Sequence, residues 1–359
     1  MESEVSELLH GIVAPSEAWR GKARQHLDTL TKPLGSLGRL EDMAAQVAAI
    51  RGERMGEPVR KAIFVFAADH GVTASGVSAY PREVTVQMVH NILAGGAGIS
   101  VLTQQHDVAL HVVDIGVDTD FGTGVGMAPS LLHHKVARGT RNLLHEPAMS
   151  REEVLAALRV GYRLASEAAA EGCNLIATGE MGIGNTTAAS AITCALTGVD
   201  AARATGRGTG ANSATYANKV RVVEEAVAKH CPSPAAIAPF EILRRLGGLE
   251  IAAMAGVVLA AARHRMVMVL DGFIATAAAA VAVGIAPDAL GYCIAGHCSE
   301  EPGHSILLDY LGLAPVLSLG MRLGEGTGAV LAMPIIESAL ALYLRMATFT
   351  SAGISGATP

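Results

Sequence analysis

From Lys61 onward the chain alternates short, continuously apolar runs with longer Ala-rich stretches. KAIFVFAADHG (61–71), VALHVVDIG (108–116), NLIATG (174–179) and MVMVLDG (266–272) each end in an acid or a glycine, and a helix-like segment follows each. An apolar run of this length, bounded by turn residues, is the pattern of a strand buried on both faces. Such strands alternating with helices predict a mainly parallel sheet covered on both sides, an α/β fold. Ligands of such sheets bind outside the carboxyl ends of the strands, where Asp69, His70, Asp114, Glu180 and Asp271 are expected to gather.

Ahead of the first strand the period changes. Residues 16–31 and 36–52 read as two helices broken at Pro33 and Gly35, with Leu37, Leu40, Met43, Val47 and Ile50 on one face of the second. The segment IIESALALYLRMATF after Pro334 reads as a terminal helix that could join these two in a small helical lobe. Phe273 to Ala286 is the most hydrophobic window, bounded by Asp271 and Asp288. It is shorter than the roughly 20 residues of a membrane span, so a buried helix is expected and no membrane partner.

Composition narrows the function classes. The 359 residues are 50% hydrophobic and 17% charged with a net charge of −6, which argues against a surface that neutralises nucleic acid. The 40 glycines follow no period, so they point to ligand-facing turns and close backbone approaches. Met1 to Ile12 is acidic and carries no secretory signal pattern, which predicts a cytoplasmic protein. The five cysteines are scattered and odd in number, as reduced thiols would be.

Three stretches carry candidate chemistry. GEMGIGNTTAA (179–189) follows a strand and opens an Ala-rich helix, so its amides and the helix N-terminus suit a phosphate, with Asn185, Thr186 and Thr187 adding donors. The same pattern also fits an ordinary strand-to-helix turn with an N-cap. GRGTG (206–210) with Lys219 suggests a second patch for a sugar phosphate, although Lys219 alone also reads as a solvated helix residue. No Gly-Lys-Ser/Thr ends the first turn, and the GTGVG of 122–126 follows no clear strand, so neither a P-loop nor a dinucleotide fingerprint is present. Cys293, His297, Cys298 and His304 lie close in sequence but form no second metal-binding couple, and no metal is expected.

The third stretch is MRLGEGTGAV (321–330), where Glu325 sits in a glycine turn ahead of an apolar run. It reads either as a capping carboxylate for a helix beginning near Thr327 or as a general base whose pKa is raised by apolar walls.

Taken together, KPLGSLGRLE (32–41), FAADHGV (66–72), GEMGIGNTT (179–187), LDGFIA (270–275), SEEPGH (299–304) and MRLGEGTGA (321–329) resemble the nicotinate-nucleotide–dimethylbenzimidazole phosphoribosyltransferase family. The resemblance spans nearly the whole chain. It implies transfer of the 5-phosphoribosyl group of nicotinate mononucleotide to 5,6-dimethylbenzimidazole, giving α-ribazole 5′-phosphate and nicotinate with inversion at C1, as in cobalamin nucleotide assembly. It implies Glu325 as general base and Glu180 as a supporting carboxylate. Gly182, Gly184, Asn185, Thr186, Gly208 and Lys219 are expected to hold the phosphate, and Ser78, Tyr80 and Gln87 the benzimidazole. No cofactor is expected. The implied architecture is a three-layer α/β/α fold with a six-stranded Rossmann-like sheet in residues 61–334, a small helical domain from residues 1–60 and 335–359, and a homodimer. Two rivals remain: a transferase using a magnesium-bound diphosphate donor, for which no strand-end acid pair is found, and a nucleotide-binding module without turnover.

Overall fold

The computed structural model describes residues 2–122, 131–208, 210–232 and 237–355. Residues 123–126 of the GTGVG match lie outside it. Six strands form one sheet: β1 Lys61–Ala68, β2 Ala109–Gly116, β3 Leu131–His133, β4 Leu175–Met181, β5 Val267–Leu270 and β6 Cys293–Ala295. They run in the order β3-β2-β1-β4-β5-β6, and every pairing is parallel. β1, β4 and β5 are almost wholly buried, which is why their sequences are continuously apolar rather than alternating.

Helices cover both faces. Leu249–His264 lies along β1, β2, β4 and β5 and is itself covered by Arg151–Ala170, so it is apolar all round. Phe273–Ile285 is the expected buried helix, packed between Leu249–His264 and Asn185–Thr197. The cysteines of the described residues are free thiols.

The chain ends meet. Glu17–Thr29 packs on Arg39–Arg51, which also receives Thr327–Arg345, and Thr31 N–H donates to Ala347 O at 2.9 Å. The KPLGSLGRLE motif works here as structure: Lys32 and Glu41 form a buried ion pair at 2.8 Å, and Glu41 also accepts from Leu37 N at 3.0 Å. The last long helix begins at Thr327, where the sequence placed a helix start, and runs through Pro334 into the segment read separately as a terminal helix. Its first free amides are met by the carboxylate of Asp271, one residue beyond β5. By length and hydropathy this helix could span a membrane, yet half of it is buried against the protein.

Candidate active site

The sheet reverses its winding between β1 and β4, and that switch point opens a crevice at the carboxyl ends of the strands. Asp69 and His70 follow β1, Glu180 closes β4, Asp271 follows β5 and His297 follows β6. Asp114 is turned to another use: at the end of β2 it accepts from Val117 N at 3.0 Å and pairs with Lys135 at 2.8 Å.

Beyond β4 the chain turns through Gly184, whose φ of +97° suits glycine, into the helix Asn185–Thr197. Beneath this turn His70 and Glu250 form a fully buried pair at 2.6 Å. Burial pulls the imidazole's pKa down, but the carboxylate beside it and Asp69 push it up and prevail.

Against the turn lies a cavity of about 40 Å³ lined by Ser78, Gly182, Gly184, Asn185, Thr186, Arg207, Gly208 and Lys219. Lys219 is 1% exposed, which removes the solvated-helix reading. Its Nζ donates to Thr186 Oγ1 at 2.8 Å and to Gly206 O at 3.2 Å. Burial pulls its pKa down to about 8, with Glu301 opposing. A cation held by neutral oxygens beside a glycine turn has the chemistry that suits an anion.

The cavity opens into a cleft of about 320 Å³ whose walls include Tyr80, Val84, Met88, Ile183, Phe273 and Leu323. Four buried carboxylates face it: Glu180, Asp271, Glu301 and Glu325. Glu325 has a left-handed backbone, φ +62°, between Gly324 and Gly326. Its main chain rests on β4 so closely that a Cβ on Gly179 would overlap the Glu325 carbonyl oxygen. Its side chain accepts from Ile99 N at 3.2 Å, in the first turn of helix Gly98–Gln105, and makes no cap hydrogen bond to the helix that follows it. Burial raises its pKa and Asp271 adds to the rise, while the Ile99 amide opposes it. Glu180 accepts from Asn185 Nδ2, and burial, then Asp271 and Glu250, push its pKa up to about 8.

Of the residues expected from sequence, Glu180, Glu325, Tyr80, Gly182, Asn185, Thr186 and Gly208 line the cleft, and Gly184 and Lys219 line the cavity beside it. Ser78 lies in the small cavity rather than against the apolar walls. Gln87 is exposed on helix Val84–Leu93 and lines neither space, whereas Val84 and Met88 of that helix do face the cleft. Asp271, expected among the strand-end acids, also lines it, as do Phe273, His297, Ser299, Glu301 and Arg322, to which sequence reasoning assigned no substrate or catalytic role. Asp271 and Phe273 lie in LDGFIA, Ser299 and Glu301 in SEEPGH and Arg322 in MRLGEGTGA, whereas His297 lies in none of these motifs. His304 and Cys293 are committed elsewhere: both His304 nitrogens are hydrogen-bonded, to Ser299 N and Thr276 Oγ1, and Cys293 Sγ donates to Ala289 O at 3.6 Å. Among the described residues no three His, Cys, Asp or Glu side chains are grouped to hold a metal.

A family model described as a phosphoribosyltransferase matches residues 12–354. A protein of Geobacter sulfurreducens named nicotinate-nucleotide–dimethylbenzimidazole phosphoribosyltransferase is 49% identical over 351 residues, 98% of each chain. One of the same name from Cupriavidus necator is 50% identical over 343 residues, covering 96% of this chain and 97% of its own. Two solved structures from Thermus thermophilus, one described by the same enzyme name and one as CobT, superpose with TM-scores of 0.88 and 0.89. They are 44% and 46% identical and cover 95% of this chain and 100% of their own.

Proposed function

Since the chain belongs to the nicotinate-nucleotide–dimethylbenzimidazole phosphoribosyltransferase family, enzymes of cobalamin lower-ligand synthesis, we propose that it moves the 5-phosphoribosyl group of nicotinate mononucleotide to 5,6-dimethylbenzimidazole. The products are nicotinate and α-ribazole 5′-phosphate. The observation that carries this reading is the juxtaposition of a buried anion cradle around Lys219 with an apolar cleft that ends in the buried carboxylate of Glu325.

In this reading the donor's phosphate enters the cradle and the flat acceptor lies against Met88, Phe273 and Leu323, with Tyr80 at the mouth. One ring nitrogen of the acceptor attacks C1 of the ribose, and the C1–N bond of the mononucleotide breaks with its electron pair returning to the pyridine nitrogen. That nitrogen is already cationic in the donor, so nicotinate leaves without a general acid. Glu325 takes the proton from the acceptor's other nitrogen. Attack on the face opposite the leaving group inverts the β-linkage to α. A pKa above the ordinary glutamate value makes Glu325 a stronger base.

Glu180 sits where positive charge would build on the ribose. In the empty site its carboxyl, with a pKa of about 8, is mostly protonated at pH 7. A cationic donor bound beside it favours the ionised form. Mononucleotide binding at pH 7 is therefore expected to release a proton, with the release fading above about pH 8. Calorimetric titrations in buffers of different ionisation enthalpy measure this directly, and Glu180→Gln is expected to abolish it.

The small helical domain of residues 1–60 and 335–359, a homodimeric assembly and a cytoplasmic location belong to the same proposal. The test is a product assay: protein, nicotinate mononucleotide and 5,6-dimethylbenzimidazole without added metal, followed by chromatography. Nicotinate and α-ribazole 5′-phosphate in equal amounts support the reading. Binding of the mononucleotide with no product from any benzimidazole would make the chain a nucleotide-binding module.

A further inference from the structure

Asp271, just beyond β5, is 2% exposed and gathers three backbone amides from one stretch of chain. Gly326 N donates to Oδ2 at 3.1 Å, and Gly328 N and Ala329 N donate to Oδ1 at 2.7 and 3.1 Å. These amides open the helix Thr327–Arg345, whose N-cap is Gly326 and which has no capping side chain of its own. A helix start leaves such N–H groups without partners, and an adjacent Ser, Thr, Asp or Asn usually supplies the acceptor. Here the acceptor comes from a strand end more than fifty residues away in sequence. An anion suits that position because it meets the positive end of the helix dipole.

The residue joined to this anchored amide is Glu325. Gly324, Glu325 and Gly326 have φ of +82°, +62° and +92°, a run of left-handed residues in which only the middle one carries a side chain. A non-glycine residue there costs of order 1–3 kcal/mol and persists only where its surroundings over-determine it. Gly179 closes on the Glu325 carbonyl from one side, and Asp271 holds the next amide from the other.

We propose that Asp271 is a positioning residue for Glu325: its carboxylate locks the 324–326 turn in the left-handed conformation that aims the Glu325 side chain into the cleft. The inference rests on the reading of Glu325 as the base. In this scheme Asp271, both of whose oxygens accept backbone amides, acts through the backbone it holds. Beyond the effect of burial, its ionised form raises the Glu325 pKa, while burial raises the pKa of Asp271 itself against the pull of His297 and its backbone amides. The Glu180 carboxyl and the amide end of Gly98–Gln105 also face Glu325, Glu301 and Arg322 line the same cleft, and His297, another lining residue, lies 3.6 Å from Asp271.

Asp271→Asn tests this with little change of shape. Its amide oxygen still serves Gly328 and Ala329, while its NH₂ is set against the Gly326 N–H. The variant is expected to lose about 10²-fold in kcat, with both KM values within about threefold of wild type. The acid limb of its kcat–pH profile moves to lower pH, because a negative charge beside Glu325 has gone. In a Glu325→Gln background the same change costs less than about twofold, since there is no longer a base to aim. A kcat within twofold of wild type, or the full loss repeated on top of Glu325→Gln, overturns the inference. If Asp271→Asn does not accumulate folded, Asp271→Ser, which keeps one acceptor at a helix start, answers the same comparison. A wild-type protein that makes no product sinks the reading of Glu325 first and this inference with it.

Discussion

Glu325→Gln is expected to lower kcat by about 10²–10⁴-fold while leaving KM for nicotinate mononucleotide within about threefold. Glutamine keeps the shape of the side chain and an oxygen that can accept from Ile99 N, so the turn and the cleft survive. What it lacks is an ionised oxygen able to take the acceptor's proton. The loss corresponds to about 3–5 kcal/mol in the barrier, with each tenfold near 1.4 kcal/mol. In the wild type the activity should rise with pH through the Glu325 pKa, which burial sets above the ordinary glutamate value. That limb should vanish in the variant. Steady-state rates across pH check both statements, and a variant with unchanged kcat would remove Glu325 from the chemistry.

Lys219→Met carries the second large effect, in two parts of opposite sign. The buried ammonium is held by Thr186 Oγ1 and Gly206 O, and burial has brought its pKa down to about 8. A phosphate would complete it, and a hydrogen bond to a charged group is worth about 1.5–3 kcal/mol, so KM for the mononucleotide should rise about 10- to 100-fold. In the wild type, donor affinity should fall as pH rises above about 8, because the free lysine must first take up a proton. Stability runs the other way. The folded-state pKa lies below the unfolded value, so the protonated form is penalised in the folded protein. This cost is fully present below about pH 8 and disappears as pH rises towards the unfolded value. Removing the charge should therefore raise the Tm of the empty protein at pH 7 even as the donor is lost. Calorimetric melting and initial rates at varied mononucleotide separate the two parts. A lower Tm with unchanged KM would make Lys219 a structural residue.

Much of the architecture was legible because burial on both faces writes itself as a continuous apolar run. β1, β2, β4 and β5 were each placed that way to within a few residues. β3 and β6, each spanning three residues, are too short to carry a pattern and entered only through the family resemblance. Pro334 split one element into two readings: a proline usually ends a helix, yet the helix that starts at Thr327 continues through it, its first amides held by Asp271 from far away in sequence. The same non-local logic hid part of the site. Glu325 was conspicuous as a lone acid among glycines, whereas Asp271 looked like any acid at a strand end until its three amide partners were seen. Lys219 could not be told from a surface lysine, since its burial depends on how Gly206 and Thr186 close over it. Ser78 and Gln87 follow the same loop in sequence, but the fold sends one into the small cavity beside Lys219 and leaves the other in solvent.

The account centres on a single in-line displacement at C1 assisted by Glu325. Glu180, a second carboxyl facing the same cleft, offers the contrasting route of a covalent phosphoribosyl-enzyme followed by a second attack. The configuration of the product separates the two most directly. Proton NMR of the purified ribazole phosphate, with the nuclear Overhauser contacts of the anomeric proton, is predicted to show the α-anomer alone. A β-anomeric product would mean two displacements and would contradict the direct transfer.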